Sequence, residues 1–505
     1  MNIRAVCLAA LLGAPLVASA GRAADAGDAS LVNAAKRGDR EAVGSLLSSR
    51  TKRDVAGPEG TSALIWSAYR NDVAMADLLL RAGADVKAAN EYGATALYAA
   101  AANADPAMTV RLLAAGADPN AALLSGETPL MEAARRGNVA TVRALLSNKA
   151  DPNAKEANGG QTALMWAASE GHPGVTEELL RSNADVHART KGGFTALMFA
   201  AQQGDGESVR VLLNARANPN DAVPRTGLTP LIIASAMGRP EAVALLLEAG
   251  ANPNAVDANG FAALHRAVRG EADRGVDPVL KAGAAAIVKA LLAHGADPNL
   301  PLRQQKPTLT ANYLSLAGAT PLALAAEVNS LDAVRALVNG GADVHIPTVQ
   351  NTTALMLAAG AGTEASRPRA PEERATAVET IRFLVDRGAN VNAVGEFGWT
   401  AVHAAAFQGL NDVIEVLAAK GAKLDVMDRF GQTPLSIAYG ILTKDLGDAF
   451  YQGARVVRQD TADLLLKLGA TPLEQSGVVS VERRAGDQVT PVGDESTERA
   501  RNGRR

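Results

Sequence analysis

Apolar positions along the chain recur with a helical spacing, and the whole pattern repeats every 33 or 34 residues over much of the sequence. In residues 160–171, Leu164 and Ala168 are four apart and therefore share one face of a helix. Thr162 precedes this series and suits an N-cap, because its hydroxyl can accept an unpaired helix N–H. Gly171 follows it and is suited to the left-handed conformation that ends helices. This stretch therefore predicts a short helix with defined ends.

A second apolar series follows in the same period. Val175, Leu179 and Leu180 have core spacing and predict a second helix. Residues 183–187, Asn-Ala-Asp-Val-His, have the composition of a turn. One period is thus a helix, a turn, a second helix and a hairpin-like loop, and such a unit cannot bury its apolar faces alone.

The period is marked by an anchor residue that follows a glycine and one variable residue, except at Thr353, where asparagine replaces the glycine. The anchors are Ser62, Thr95, Thr128, Thr162, Thr195, Thr229, Ala262, Thr320, Thr353, Thr400 and Thr433. Several are followed by proline, which is tolerated at the first helical position: Pro129, Pro230, Pro321 and Pro434. A fixed period of this length predicts a stacked array of repeats in place of one globular core.

These motifs resemble the ankyrin repeat, with Thr-Pro-Leu-His-x-Ala replaced mostly by Thr-Ala-Leu-Met-x-Ala. The best matches are residues 126–134 and 398–406, and residues 34–47 fit a capping first repeat. The resemblance implies an all-α solenoid of about twelve helix-turn-helix units with hairpin loops over residues 28–472. It also implies a scaffold that binds a protein partner on its concave face, with neither enzymatic activity nor a cofactor or metal.

The resemblance assigns five positions per repeat to the concave face: two before the glycine, one after it and two after the Ala-Ala pair. Eight of the 17 aromatic residues occupy such positions, against about two expected from random placement, and aromatic side chains are favoured in binding hot spots. Packing between neighbouring hairpins explains part of this excess. The predicted partner-binding residues are Tyr69, Tyr92, Arg135, Arg136, Phe194, Phe261, Phe397, Trp399, Phe407 and Phe430.

Phe397, Trp399, Phe407 and Phe430 lie in two adjacent repeats, so we expect the main binding site there. Three further aromatic residues share the position four after the anchor, where core packing is expected: Trp66, Trp166 and Phe199. The six histidines all occupy repeat positions with structural roles: His172, His187, His265, His294, His345 and His403. No zinc or phosphate-loop motif occurs.

Composition and the N-terminus bear on location and partners. The chain carries 50 basic and 53 acidic residues, which argues against a nucleic-acid partner. Residues 1–20 combine a basic start, an apolar stretch and Ala-Ser-Ala, which predicts a signal peptide cleaved after Ala20. The single cysteine, Cys7, lies inside it. We therefore expect an exported, periplasmic protein of bacterial type, monomeric and without a membrane span.

The period is interrupted near residues 270–284, 300–317, 360–374 and 440–453, and it stops before a tail, 473–505, that we expect to be disordered. The insertions are equally compatible with function and with neutral loop drift. One alternative is therefore an accessory or enzymatic role carried by the C-terminal insertions, with Glu364, Arg374, Asp445 and Asp448 as the residues that would have to converge. Another alternative is an effector delivered to another cell.

A local weakness is expected in the first half of the array. The glycine that precedes Ala-Asp in most repeats is replaced by Lys149, Asn183 and Arg216 in three consecutive ones. A left-handed conformation at such a residue costs on the order of 1 kcal/mol, with asparagine the mildest case.

Overall fold

The structure is a computed structural model, and it describes residues 31–48, 60–103, 105–269, 278–303, 315–361, 370–441 and 457–478. Within these residues 24 α-helices form twelve consecutive pairs, one pair for each predicted repeat. The hairpin loops contribute two isolated β-bridges, Ala89–Thr95 and Val256–Ala262. The all-α repeat architecture predicted from the sequence is confirmed.

Each repeat contributes a first helix, which follows the anchor, and a second helix. The first helices are α1 Leu31–Arg37, α3 Ala63–Tyr69, α5 Ala96–Ala101, α7 Pro129–Arg136, α9 Ala163–Glu170, α11 Ala196–Gln203, α13 Pro230–Ala236, α15 Ala263–Arg269, α17 Pro321–Glu327, α19 Ala354–Ala358, α21 Ala401–Gln408 and α23 Pro434–Ala438. The second helices are α2 Arg40–Ser48, α4 Val73–Arg81, α6 Ala107–Ala114, α8 Val139–Ser147, α10 Pro173–Arg181, α12 Gly206–Asn214, α14 Pro240–Glu248, α16 Pro278–Ala293, α18 Leu331–Asn339, α20 Pro371–Asp386, α22 Asn411–Ala419 and α24 Gln459–Lys467.

Most first helices begin at the predicted anchor, and several end on a left-handed glycine. In nine repeats the anchor hydroxyl accepts the N–H three residues later at 3.2 to 3.5 Å, as Thr162 does from Met165. Thr195 forms no such bond, and Ala262 has no hydroxyl to offer. Gly171 closes α9 in the left-handed conformation, with φ of 72°.

The core is made of small and aliphatic side chains on facing helices. In repeat 5, Leu164, Ala168, Val175 and Leu179 are buried as predicted, whereas Leu180 is only half-buried. The buried alanines let successive first helices approach one another closely, since a methyl group occupies little space. Each repeat therefore completes its core only when its neighbours are stacked on it.

Asparagine side chains join successive hairpin loops. Asn153 donates its amide N–H to the Asn183 carbonyl at 3.1 Å and accepts the Asp185 N–H at 2.7 Å. The same pair of bonds is made by Asn120, Asn220, Asn254, Asn299 and Asn392. Backbone groups at the loops are thus satisfied by the neighbouring repeat.

The chain divides into two compact units. The first comprises Met1–Ala234 with Arg239–Asn252, and the second comprises Ser235–Gly238 with Pro253–Arg505. Repeats 1 to 6 belong wholly to the first unit and repeats 8 to 12 to the second. The four aromatic residues expected to form the main binding site all lie in the second unit.

The expectation that the insertions are loops is wrong for part of two of them. Helices α16 and α20 are each 16 residues long, whereas most second helices have nine. The insertion at 270–284 therefore lengthens a helix from Pro278 onward, and that at 360–374 does so from Pro371. Proline is compatible with the first turn of both helices.

Parts of the other boundaries fall outside the described residues. These include the expected signal peptide, most of the insertion at 440–453 and the tail beyond Val478. The beginning of the tail is ordered, because Leu473–Gln475 forms one turn of 3-10 helix.

Candidate protein-binding surface

The predicted partner-binding residues lie in several local groups. Tyr69 contacts Trp66 edge to face at 5.8 Å, and Phe194 contacts Phe199 at 5.6 Å. Tyr92 is exposed at a hairpin of repeat 3. Only in repeats 11 and 12 does the structure bring four of the predicted aromatic residues together.

We call Phe397, Trp399, Phe407 and Phe430 the four-ring platform. Phe397 and Phe430 occupy the same position in successive hairpins, and their rings stack with centroids 6.3 Å apart. Trp399 contacts Phe407 of α21 at 5.6 Å. The platform therefore consists of one aromatic pair on the hairpins and one beside the first helix.

Asp428 connects the two pairs. Its Oδ2 accepts the Trp399 indole N–H at 3.1 Å, and its Oδ1 accepts the backbone N–H groups of Phe430 and Gln432 at 2.9 and 2.8 Å. Burial raises the pKa of the Asp428 carboxyl. Gly398 permits this close contact, because a Cβ atom there would lie 2.7 Å from the Asp428 Cα. The rings are thus held by fixed hairpin geometry.

Phe407 departs from the prediction that it contacts a partner directly. Only 6% of its surface is exposed, because it lies under Trp399 on α21. Phe397, Trp399 and Phe430 are half-buried and keep part of their rings accessible. Phe407 therefore supports the platform from below while the other three rings present its surface.

Two exposed apolar residues in the same two hairpins were not among the predicted binding residues. Val394 and Met427 are 49% and 43% exposed. Each lies six residues before its anchor, Thr400 or Thr433, so the two occupy the same hairpin position in adjacent repeats. That shared position is the signal that could have identified them. Each lies three residues before a ring of the platform, Phe397 or Phe430, so the hairpins that hold these rings also expose an apolar side chain each.

Arg135 and Arg136 are already engaged within the protein. Both contact the carboxylate of Glu132, whose side chain is 1% exposed, and the Arg136 Nε lies 2.8 Å from it. The Arg135 guanidinium also lies over the Trp166 ring, 5.5 Å from its centroid. Glu132, which the sequence analysis did not single out, thus offsets part of the charge of this pair.

The expectation of core packing holds for Trp66 but not for the two equivalent aromatic residues. Trp66 is buried, whereas Trp166 and Phe199 are half-buried. The Arg135 guanidinium lies over the Trp166 ring, and Phe199 contacts Phe194. The side chain four after the anchor is therefore partly exposed next to predicted binding residues in repeats 5 and 6.

Phe261 belongs to a separate charged group in repeat 8. The Arg266 guanidinium lies over its ring at 4.2 Å and pairs with buried Asp257 at 2.5 Å. In the same unit Arg269 lies 3.8 Å from Glu327, and burial raises the pKa of the Glu327 carboxyl. The charges in this group are matched in pairs.

Histidine side chains make bonds to the repeat framework. His172 lies 3.1 Å from the Arg135 carbonyl of the preceding repeat, and His294 lies 2.9 Å from the Ala290 carbonyl. His265 and His403 are buried, and burial lowers the pKa of each to about 4. Their ring nitrogens bond backbone groups, which accords with the structural roles predicted for them.

No cluster of three or more histidine, cysteine or carboxylate side chains with metal-binding geometry occurs among the described residues. Of the residues that an enzymatic alternative would require, Arg374 lies on α20. Glu364, Asp445 and Asp448 lie outside the described ranges.

The chain matches the model of a known protein family over most of its length. A family model described as ankyrin repeats (3 copies) matches residues 31–122, 101–190, 171–257, 197–301, 278–366 and 373–473. The chain belongs to the ankyrin-repeat family. Ankyrin-repeat arrays are scaffolds for protein–protein interaction and are typically not enzymes, so the fold identifies a protein-binding role.

Curated relatives resemble the chain over short segments. It is 34% identical over 131 residues to "Ankyrin repeat and SOCS box protein 3" of Bos taurus, over 25% of this chain and 22% of that protein. It is 43% identical over 61 residues to "Serine/threonine-protein kinase 12" of Arabidopsis thaliana, over 12% of this chain and 13% of the kinase. It is 31% identical over 136 residues to "Glycerophosphocholine phosphodiesterase GDE1" of Eremothecium gossypii, which covers 24% of this chain and 10% of the phosphodiesterase.

The chain thus spans less than a quarter of each of these three relatives. The two enzymes resemble it over a small part of their length, so their activities do not transfer with the similarity. Among the described residues, no helix has the length and apolar character needed to cross a bilayer.

Proposed function

We propose that this protein is an exported scaffold that captures one protein partner on the four-ring platform of repeats 11 and 12. The observation that carries the proposal is that the two hairpins holding the stacked rings of Phe397 and Phe430 also expose the apolar side chains of Val394 and Met427. Clusters of aromatic side chains on a rigid framework are typical of binding hot spots. The remaining predicted residues, in repeats 2 to 8, are separate candidate contact sites.

The packing of the platform supports binding as well as stability. Phe397 and Phe430 stack on each other, which accounts for their presence in neighbouring hairpins. Packing between the rings does not account for Val394 and Met427, which remain exposed. Exposed apolar side chains gathered at one place indicate an interaction site.

The proposed location is the periplasm of a bacterium. The support is the arrangement of residues 1–20, in which a basic start and an apolar stretch precede Ala18-Ser19-Ala20. N-terminal sequencing of the protein recovered from a periplasmic fraction should begin at Gly21. Recovery of an intact Met1 from the cytoplasmic fraction would overturn this part of the proposal.

Affinity capture with matched variants tests the partner-binding role. Val394→Asn with Met427→Gln removes the exposed apolar side chains while leaving the four rings in place. The control is Val256→Asn, because Val256 has the same hairpin position in repeat 8 and is 40% exposed. Phe407→Ala would be unsuitable as a test, because removing a buried aromatic side chain destabilises the fold by about 3–5 kcal/mol.

The expected result is that the unaltered protein and the Val256→Asn control retain the same partner from the periplasm. The Val394→Asn, Met427→Gln variant should capture at least about tenfold less of that partner, because substitutions at a binding hot spot weaken affinity by such factors. Circular dichroism melting should show all three proteins equally folded. Equal capture by the platform variant and the control would remove the proposal.

A further inference from the structure

Resting on the proposed function, we infer that the partner segment bound by repeats 11 and 12 is an acidic peptide, with apolar side chains on the platform and a carboxylate on Arg429. This residue is at the tip of the repeat 12 hairpin and is exposed. It was not among the residues selected from the sequence.

Arg429 is held in position by the aromatic rings. Its Cζ atom lies 5.2 Å from the Phe397 centroid and 5.4 Å from the Phe430 centroid, so the guanidinium straddles the stacked pair. Its backbone N–H donates to the Phe397 carbonyl at 2.9 Å, which fixes the hairpin tip as well. A guanidinium placed in advance loses less conformational entropy when it binds a carboxylate.

The guanidinium has no acidic partner within the part of the chain that the structure describes. Other arginines on the array have one: Arg135 and Arg136 contact Glu132, and Arg266 contacts Asp257. Asp428, next to Arg429 in sequence, is turned inward and bonds Trp399. Among the described residues, no carboxylate therefore occupies the hydrogen-bond donors of Arg429.

The charge around the tip favours one orientation of such a peptide. Glu396 has the same position in the repeat 11 hairpin as Arg429 has in repeat 12, four residues before the anchor, and it is also exposed. It forms no ion pair with Arg429 within the described residues. A bound carboxylate is therefore attracted at the repeat 12 hairpin and repelled at the repeat 11 hairpin.

Three synthetic peptides provide the probe. They share one pattern of Leu and Phe and carry Glu, Gln or Lys at the intervening positions. Binding to the purified full chain is measured by fluorescence anisotropy at low and at physiological salt. The variants are Arg429→Gln and Glu396→Gln. The control is Arg387→Gln. Arg387 is also exposed, and its guanidinium lies 4.7 Å from the centroid of the Phe383 ring. It follows the end of helix α20 and is not part of a hairpin.

We expect the Glu peptide to bind more tightly than the Gln peptide, and the Lys peptide most weakly. Arg429→Gln should weaken binding of the Glu peptide by about tenfold and abolish the preference for Glu over Gln, because a charge-assisted bond is lost. Glu396→Gln should strengthen binding of the Glu peptide by a few fold, and Arg387→Gln should leave it unchanged. Added salt should reduce the preference.

Several results overturn the inference. They are equal affinity of the three peptides, failure of the Glu peptide to bind, equal effects of Arg429→Gln and Arg387→Gln, or tighter binding of a single-stranded oligonucleotide of the same charge. If Arg429→Gln still captures the periplasmic partner while the Val394→Asn, Met427→Gln variant does not, the inference fails and the proposed function stands. If neither variant affects capture, both fail.

Discussion

The imidazole of His265 accepts the backbone N–H of Ala262 through Nδ1 at 3.1 Å, at the start of α15. In repeat 11 the equivalent bond runs from the Thr400 N–H to His403, and there the Thr400 hydroxyl also accepts the His403 N–H. Repeat 11 thus has both halves of a capping box, whereas repeat 8 has only the half that its histidine provides.

Ala262→Thr should therefore stabilise the second unit. The new hydroxyl would accept the backbone N–H of His265, and such an N-cap bond is worth about 1 kcal/mol. Thr353→Ala is the matched reverse change, because Thr353 makes this bond in repeat 10, and it should cost a similar amount. Urea unfolding measures both. If Ala262→Thr lowers the unfolding free energy, the missing N-cap bond does not limit the stability of repeat 8.

The protein should become less stable as the pH is lowered, because of His265 and His403. Burial lowers the pKa of each ring to about 4, against 6.5 when solvated. The unfolded chain therefore binds protons first, so stability is complete above pH 6.5 and is lost as the pH falls toward 4. The loss is on the order of 2–3 kcal/mol per histidine.

His403→Met isolates this pH effect, because Met occupies the equivalent position in repeats 4, 5, 6 and 10 and Thr400 retains its cap. The unfolding free energy of the parent minus that of this variant should decrease as the pH is lowered from about pH 7 to about pH 4.5. A difference that is constant across this range would show that His403 does not titrate as its burial requires.

Lys149 and Arg216 should be replaceable by glycine with a gain in stability. Both are left-handed, with φ of 69° and 67°, and Asn183 has φ of 64°. Lys149→Gly and Arg216→Gly should each add about 1 kcal/mol, and Asn183→Gly less. Gly116→Lys is the reverse control in repeat 3, where φ is 91°.

Hydrogen exchange tests the same weakness without mutation. Amides of repeats 4 to 6, which contain the three non-glycine residues, should exchange faster than those of repeats 9 to 11. Local opening free energies are set by such differences in repeat stability. Uniform protection across the array would contradict the prediction.

Glu132 should contribute more to folding than to partner binding. Its buried carboxylate contacts both Arg135 and Arg136. Glu132→Ala leaves both guanidinium groups without this partner and should cost about 3 kcal/mol, whereas Arg136→Ala, which keeps the Arg135 contact, should cost less. Denaturant unfolding measures the difference. Equal and small effects would mean that the group is solvated and not structural.

The sequence predicted the fold in detail because the repeat imposes the same local rules in every unit. Thr162, Gly171 and the proline after several anchors define helix ends through short-range chemistry, and the left-handed residues at 149, 183 and 216 follow from the same alignment. Helix extension from Pro278 and Pro371 could not be predicted, because an insertion carries no repeat from which to align it.

The binding surface was only partly accessible to sequence reasoning. Alignment of repeats placed Phe397, Trp399 and Phe430 near one another, and the structure agrees. It could not show that Phe407 lies beneath Trp399 or that Glu132 engages Arg135, since both depend on side-chain packing between turns. Arg429 was missed because its role arises from two rings in different repeats.

Site-specific photo-crosslinking shows which part of the protein contacts the partner. A photoreactive phenylalanine analogue is placed at Val394, at Met427 or at the matched position Val256, and the protein is irradiated in the cells that produce it. We expect one partner protein to be crosslinked from Val394 and from Met427 but not from Val256. A partner crosslinked from Val256 and absent from the other two positions would contradict this expectation.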